Sequence, residues 1–305
     1  MTSRPARSPA PKPGLKGDDP LPPPRLQRVD GAMRLSYRAD GDGTTRLDDL
    51  YQRAPARLLF PRGEAGEPPQ AVLLTTSGGL TGGDRFRADF TVGAGAAATL
   101  TTQAAERIYR ARTAEGDAVV DVSVGVGTGA WAEYLAQETI LFDGARLRRG
   151  FHADIAPGGR LLALESIVLG RTARGEVVRT GLIHDAWRIR RGGRLVWADA
   201  LRLDSGNGLD IQAALAAPFG FGDAVACATL LLVDDGAGAH LDPVRALLAD
   251  HGRVRGGATT FDGMLIIRLL AAAATDLRAA AMATASLLRH RAGGLPQRLP
   301  QVWHC

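Results

Sequence analysis

Apolar and polar residues alternate over short stretches through most of the chain, which is the pattern of half-buried β-strands. Between residues 25 and 50 this alternation is interrupted at Asp40-Gly41-Asp42-Gly43, a strong turn signal, and the segment is predicted to form a β-hairpin. Short alternating stretches, glycine-rich turns and longer apolar stretches then follow one another through residues 71–170. The pattern predicts a mainly β fold.

The segment 71–170 also shows internal recurrence. The stretch DFTVGAG at residues 89–95 is followed 32 residues later by DVSVGVG at 121–127, and a weaker copy, ADIAPG, begins at Ala153. A period of this length is typical of stacked supersecondary units. We predict a stacked β-layer or β-helical scaffold, with three unrelated hairpins in an ordinary sandwich as the alternative. Each copy is followed by an apolar stretch, at residues 98–102, 130–135 and 160–169.

The C-terminal part of the chain has a different pattern. Residues 223–233 and 258–270 are predicted to be strands, whereas residues 242–250 and 275–291 are predicted to be helices. Residues 223–300 are therefore expected to form a small α+β portion containing two helices. No Pro/Gly/Ser-rich linker separates this portion from the repeat region, so residues 25–305 are predicted to be a single β-rich domain.

Composition and charge exclude several classes of protein. The first 24 residues contain eight prolines and no hydrophobic segment, so we expect a disordered tail and no secretory signal. The formal charge is +5, but residues 1–28 hold six basic and two acidic side chains, which leaves the remainder nearly neutral. Nucleic-acid binding is therefore not expected, and no apolar stretch approaches the roughly 18 residues of a membrane-spanning helix. Two distant cysteines, Cys227 and Cys305, favour the cytoplasm.

The glycine-rich segment 77–84, SGGLTGGD, follows an apolar stretch, where a phosphate-binding loop would lie. Asp84 and Arg85 occupy the positions where such a loop needs lysine and a hydroxyl residue, so nucleotide binding is not expected. The chain lacks a Gly-x-Ser-x-Gly nucleophile motif, and its six histidines show no zinc-type spacing. The four glycines suit a tight backbone crossing, and a functional role of Asp84 is the alternative.

Several carboxylates lie in or beside apolar stretches. A lone acid at such a position is usually solvated or paired with arginine, but as a set these acids could line a polar interior. At the C-terminus, His304 and Cys305 could bind nickel, because imidazole and thiolate suit this ion, although a frayed end is the simpler interpretation. The carboxylates are Asp84, Glu133, Glu138, Glu165, Glu176 and Asp199.

The run 72–84, VLLTTSGGLTGGD, resembles the signature of the urease accessory protein UreD/UreH family, in which an apolar strand leads to a Gly-Gly-x-x-Gly-Gly-Asp turn. Gly78, Gly79, Gly82 and Gly83 are the motif glycines, and Asp84 closes the turn. The chain has Thr-Thr-Ser at residues 75–77, where the family often has His-Pro-Pro. The resemblance continues through residues 100–105, Tyr109, Arg110 and residues 132–138, 142–145, 161–171, 175–176, 261–263 and 299–303.

This resemblance implies a non-catalytic, β-helical scaffold that assists nickel insertion into apo-urease. It implies UreF and UreG as partners, a dimeric assembly through UreF, and nickel bound only transiently, with no tightly bound cofactor. An internal polar passage is associated with the fold. The acids that we place along this passage are Asp84, Glu133, Glu165, Glu176 and Asp199.

Two other functions stay open on the sequence. One is a metal-dependent hydrolase that uses Asp84, Glu133 and a histidine. The other is a β-scaffold protein unrelated to metal.

Overall fold

The computed structural model describes residues 28–112, 116–217 and 219–304, and within these ranges the chain forms seventeen β-strands and three α-helices. The prediction of a mainly β fold is confirmed. The predicted tail, residues 1–24, lies outside the described residues, and so does Cys305. None of the helices formed by the described residues is long and apolar enough to cross a membrane.

The bounds of the elements are as follows. The strands are β1 (Asp30–Ala39), β2 (Thr45–Arg53), β3 (Ala56–Leu59), β4 (Gln70–Thr75), β5 (Arg85–Val92), β6 (Ala97–Thr102), β7 (Glu106–Ile108), β8 (Ala118–Val126), β9 (Trp131–Leu135), β10 (Thr139–Leu141), β11 (Arg146–Ile155), β12 (Arg160–Leu169), β13 (Leu182–Arg191), β14 (Arg194–Asp204), β15 (Ala226–Val233), β16 (Val254–Phe261) and β17 (Met264–Ala271). The helices are α1 (Ile211–Ala216), α2 (Leu241–Ala249) and α3 (Ala274–Gly293).

The strands form two sheets that enclose one apolar core. Sheet A has the order β14-β13-β11-β8-β5-β1-β2, and sheet B has the order β16-β17-β15-β12-β9-β6-β4-β3, with β7 and β10 attached beside β12. Alternation along each strand directs one set of side chains inward, as in β11, where Leu147, Phe151 and Ile155 are fully buried. These inward side chains of the two sheets make up the main hydrophobic cluster.

The internal recurrence corresponds to stacked strands. The three copies lie in β5, β8 and β11, which are parallel neighbours in sheet A, and the apolar stretches after them form β6, β9 and β12, parallel neighbours in sheet B. Gly95, Gly129 and Gly158, with φ of 69°, 66° and 73°, lie in the turns that lead from sheet A to sheet B in the successive copies. A β-helical scaffold is not confirmed, because both sheets are mixed and carry antiparallel strands at their ends.

Helices cover the second face of sheet B. Leu277, Ala281 and Leu288 of α3 belong to a separate hydrophobic cluster with Leu230 and Leu265 of the sheet, so this part of the molecule has three layers. The hairpin predicted between residues 25 and 50 is present as β1 and β2.

Two of the C-terminal predictions differ from the structure. The strand predicted over residues 258–270 is a hairpin of β16 and β17, because Asp262 and Gly263 adopt positive φ of 48° and 69° and reverse the chain. Helix α1 was not predicted, since its six residues are too few to show helical periodicity.

Candidate functional site

A band of charged side chains crosses the otherwise apolar space between the sheets. On β11, Arg149 takes an inward position between Leu147 and Phe151, and on the adjacent β13 Asp185 lies inward between Ile183 and Trp187. Glu165 of β12 belongs to sheet B and reaches the same region. The three side chains lie together because neighbouring strands of each sheet direct residues of equal register to the same face.

Arg149 is held mainly by its own sheet. Its Nε and Nη2 atoms donate to the two carboxylate oxygens of Asp185 at 2.7 and 3.0 Å, and Nη1 donates to Thr139 Oγ1 at 3.0 Å. Although burial acts in the opposite direction, the charges of Asp185 and Glu165 raise the pKa of Arg149 above its usual value. This guanidinium is therefore a fixed positive charge inside the protein.

Glu165 has no comparable set of partners. Its side chain is 1% exposed, and neither carboxylate oxygen makes a hydrogen bond of good geometry to another described residue. Arg149 Nε lies 3.5 Å from Oε2, and the Tyr134 hydroxyl is close enough to lower the pKa of the carboxyl. Burial raises the pKa of Glu165 to about 8, against the opposing effect of the Arg149 charge. A buried carboxyl without hydrogen bonds is costly and is often found where a protein binds something.

A cavity of about 310 Å³ connects Glu165 with the protein surface. Its inner end is formed by Tyr134, Arg149 and Glu165, and exposed residues at its outer end include Gly78 and Arg107. The walls between them are mostly apolar and come from both sheets. The cavity is therefore an opening from the surface into the polar band.

Glu106 lies at the outer end of this cavity. The hydroxyl of Thr75 donates to Glu106 Oε2 at 3.3 Å, and burial raises the pKa of this carboxyl above its usual value. The cavity thus has an acid near its mouth and a second acid, Glu165, at its inner end.

The polar band continues on the other side of Glu165 towards the edge of the sheets. Cys227 of β15 lies close enough to Asp185 and Arg149 for their charges to act on its thiol, whose pKa burial raises to about 12. Beyond it, Arg268 of β17 pairs with Asp199 of β14, and their side chains are 50% and 34% exposed. The band consequently reaches solvent again at this pair.

The structure gives Asp84 a different place. Its Oδ1 accepts the backbone N–H of Val29 at 2.9 Å and its Oδ2 accepts that of Thr81 at 2.8 Å. One oxygen therefore binds the backbone inside the glycine-rich turn, and the other joins the turn to the residue before β1. Asp84 holds this turn in shape rather than lining the cavity.

The glycines of the same turn allow close contact with the next motif. The Tyr109 hydroxyl donates to the carbonyl of Gly78 at 2.9 Å, and a Cβ on Gly79 would lie 2.6 Å from the Tyr109 ring. Arg110 pairs with Asp143 at 2.9 Å, which brings the residues of two further motifs to this end of the molecule. Gly78 places this turn at the mouth of the cavity.

Glu176 and Glu133 are also engaged by arginine outside the cavity. Arg171 binds both oxygens of Glu176 near the surface, and these hydrogen bonds hold the pKa of Glu176 below its usual value. Glu133 points to the helical face of sheet B, where it binds Arg289 of α3 at 2.8 Å and accepts the Thr99 hydroxyl at 2.6 Å. Of the five acids expected along a passage, the structure brings Glu165 and Asp199 to the polar band.

Near the C-terminus, Trp303 packs against the rest of the protein. The Trp303 indole N–H donates to Thr101 Oγ1 at 3.1 Å, and the Arg278 guanidinium lies 4.8 Å from its ring centroid. His304 is exposed, and its expected partner Cys305 is outside the described residues. Within the described ranges, no three His, Cys, Asp or Glu side chains form a cluster that could hold a metal ion.

Arg149, Asp185, Thr139 and Glu106 were not predicted as site residues. Arg149 and Asp185 could have been found, because the alternation of β11 and β13 puts each of them on an apolar face. Thr139 and Glu106 gave no such signal, since β10 and β7 are only three residues long.

The sequence matches the family model described as UreD urease accessory protein over residues 29–304. It is 46% identical over 293 residues to the urease accessory protein UreD 2 of Methylorubrum populi, with 95% of each chain covered. It is 45% identical over 285 residues to the urease accessory protein UreD of a Methylobacterium species, with 92% of this chain and 96% of the relative covered. The urease accessory protein UreD of Magnetococcus marinus is 40% identical over 281 residues, with 91% and 94% covered.

Proposed function

The chain belongs to the UreD family of urease accessory proteins, and from this premise we propose that it serves urease maturation as a conduit for nickel between its two sheets. The family consists of accessory proteins, so the chain is not an enzyme and the hydrolase alternative is wrong. Asp84 and Glu133, the residues of that alternative, have both carboxylate oxygens engaged by the protein itself.

The observation that carries this proposal is the cavity that ends at Glu165. Glu165 is a buried acid without a well-formed hydrogen bond to another described residue, and it lies in the lining of a cavity that is open to the surface, which supports a role as an oxygen ligand for an entering cation. The remaining charged groups of the band continue from Glu165 to Asp199. Nickel enters past Glu106, meets Glu165 in the interior and leaves past Asp199.

The chemistry of the band suits transfer rather than storage. A closed site with three or four convergent ligands would retain nickel, whereas separated single carboxylates bind it weakly and let it move on. The described residues hold no cluster of three metal-binding side chains. Asp84, Glu133 and Glu176 support the walls instead, through the backbone, Arg289 and Arg171.

UreF, UreG and apo-urease are the partners that we propose for this conduit. Nickel must pass from a donor to the chain and from the chain to urease, so each end of the band needs a partner. The end formed by Gly78, Tyr109 and Arg110 carries the motifs that resemble the UreD/UreH signature, and Gly78 lines the cavity there. We assign a partner contact to this end.

The conduit is tested by replacing Glu165 with glutamine, which keeps the size of the side chain and removes its ability to become a carboxylate. We expect Glu165→Gln to lower the nickel content of co-expressed urease severalfold while UreF and urease still co-purify with the chain. Glu176→Gln is the matched control, because this acid is paired at the surface, and its urease should be fully loaded. Full nickel content with Glu165→Gln would refute the conduit but leave a scaffold role intact.

A further inference from the structure

Arg149 would repel any cation that reaches Glu165. The guanidinium is 5% exposed and lies 3.5 Å from Glu165 Oε2, so a divalent ion bound to this carboxylate would stand within a few ångströms of a fixed positive charge. Such repulsion is strong in a buried site, where water screens little. A site evolved only to bind cations would not keep an arginine there.

The hydrogen bonds of Arg149 show how the charge is kept in place. Arg149 Nε and Nη2 donate hydrogen bonds to Asp185, and Nη1 donates to Thr139, whereas no hydrogen bond joins Arg149 to Glu165. The arginine is therefore fixed beside the carboxylate without occupying it. Glu165 lines the inner end of the cavity, and the Arg149 guanidinium lies 3.5 Å from its Oε2.

We propose that Arg149, positioned by Asp185 and Thr139, keeps divalent-cation binding at Glu165 weak, so that the ion is released rather than trapped. This inference rests on the proposed conduit. Once an entering cation has displaced the proton of Glu165, the formal charges of Glu165, Asp185 and Arg149 leave one net negative charge for a doubly charged ion. Removing Arg149 would leave two carboxylates facing the ion, and the site would then hold the ion tightly.

The proposal is tested by equilibrium binding of NiCl₂ to the full chain, followed by calorimetry or dialysis. Arg149→Met should bind Ni²⁺ at least about tenfold more tightly than the unaltered chain, since a buried like charge has been removed. Arg149→Lys, which keeps the charge, should bind like the unaltered chain. Arg34→Met is the matched control, because it removes an equivalent charge from the exposed pair with Asp49, and its affinity should not change.

Arg149→Met could fail to fold, because it leaves the buried carboxylate of Asp185 without its positive partner. A second pair of variants covers this case. Arg149→Met combined with Asp185→Asn removes both members of the ion pair, and Asp185→Asn alone removes one carboxylate. The double variant should bind Ni²⁺ at least about tenfold more tightly than Asp185→Asn, because the two differ only by the Arg149 charge.

Two results separate this inference from the conduit itself. If Arg149→Met and the double variant show no tightening while Glu165→Gln still lowers urease nickel, the role of Arg149 is refuted and the conduit stands. If Glu165→Gln leaves urease fully loaded, the conduit fails, whatever the binding data show. Tightening that persists when Glu165→Gln is added to Arg149→Met would place the ion elsewhere and overturn the proposal.

Discussion

At Glu165, burial and charge act in opposite directions. Desolvation raises the pKa of this carboxyl, the charge of Arg149 lowers it, the charge of Asp185 raises it and the Tyr134 hydroxyl lowers it, and the result is a pKa of about 8. The folded protein thus holds a proton on Glu165 at pH values where a carboxyl in the unfolded chain, near 4.5, has lost it. Glu165, which we propose as a nickel ligand, therefore also lowers the free energy of unfolding at neutral pH.

The raised pKa of Glu165 predicts that the free energy of unfolding depends on pH. The contribution of protonated Glu165 is fully present below the unfolded-state pKa and is lost as the pH rises towards about 8. We expect Glu165→Gln, which cannot ionise, to gain unfolding free energy relative to the unaltered chain between roughly pH 5 and pH 8, on the order of a few kcal/mol. Urea unfolding at several pH values measures the difference.

Glu176→Gln is the control for this pH series. The pKa of Glu176 lies below its usual value, so its contribution changes only at acidic pH and not within that window. Parallel stability profiles of Glu165→Gln and the unaltered chain would contradict the prediction.

At the scale of elements, the sequence predicts the shape of the glycine-rich turn before β5 but not the contact that this turn makes with Tyr109. The sequence predicts a tight crossing, and Gly78 and Gly79 have φ of 75° and 137°. What it does not reveal is that Tyr109, thirty residues later, lies against Gly79, because this contact depends on β7 passing beside the turn. Strand positions follow from local alternation, whereas contacts between distant turns do not.

The two glycines give a matched pair of variants. A Cβ at Gly78 meets nothing within 4 Å, so Gly78→Ala should cost only about 1 kcal/mol for the left-handed conformation. A Cβ at Gly79 would lie 2.6 Å from the Tyr109 ring and 2.8 Å from the Arg107 carbonyl, at a φ that other residues rarely adopt. Gly79→Ala should therefore cost at least about 2 kcal/mol more than Gly78→Ala in urea unfolding. Equal losses would show that the turn can shift away from Tyr109.

At the scale of the whole molecule, recurrence along the chain predicts which strands are neighbours but not how the two sheets face each other. β5, β8 and β11 follow the repeat and stack in sheet A, and their successors stack in sheet B. That Arg149 of one sheet meets Glu165 of the other depends on the relative position of the sheets, for which a single sequence holds no local signal. This is why the acids were predicted as a set, yet only two of them lie on the band.

The polar band crosses the space between the sheets, so we predict that acids at both of its ends contribute to nickel transfer. Glu106 lies at the cavity mouth, and Asp199 pairs with Arg268 at the opposite edge of sheet B. If nickel crosses the whole band, Glu106→Gln removes a ligand at entry, and Asp199→Asn leaves the positive charge of Arg268 uncompensated at exit, where it repels the ion. Each variant should lower the nickel content of co-expressed urease severalfold without loss of partner binding. Asp154→Asn, an exposed acid on the outer face of sheet A, should have no effect. A loss with Glu106→Gln alone would mean that nickel leaves before it reaches Asp199.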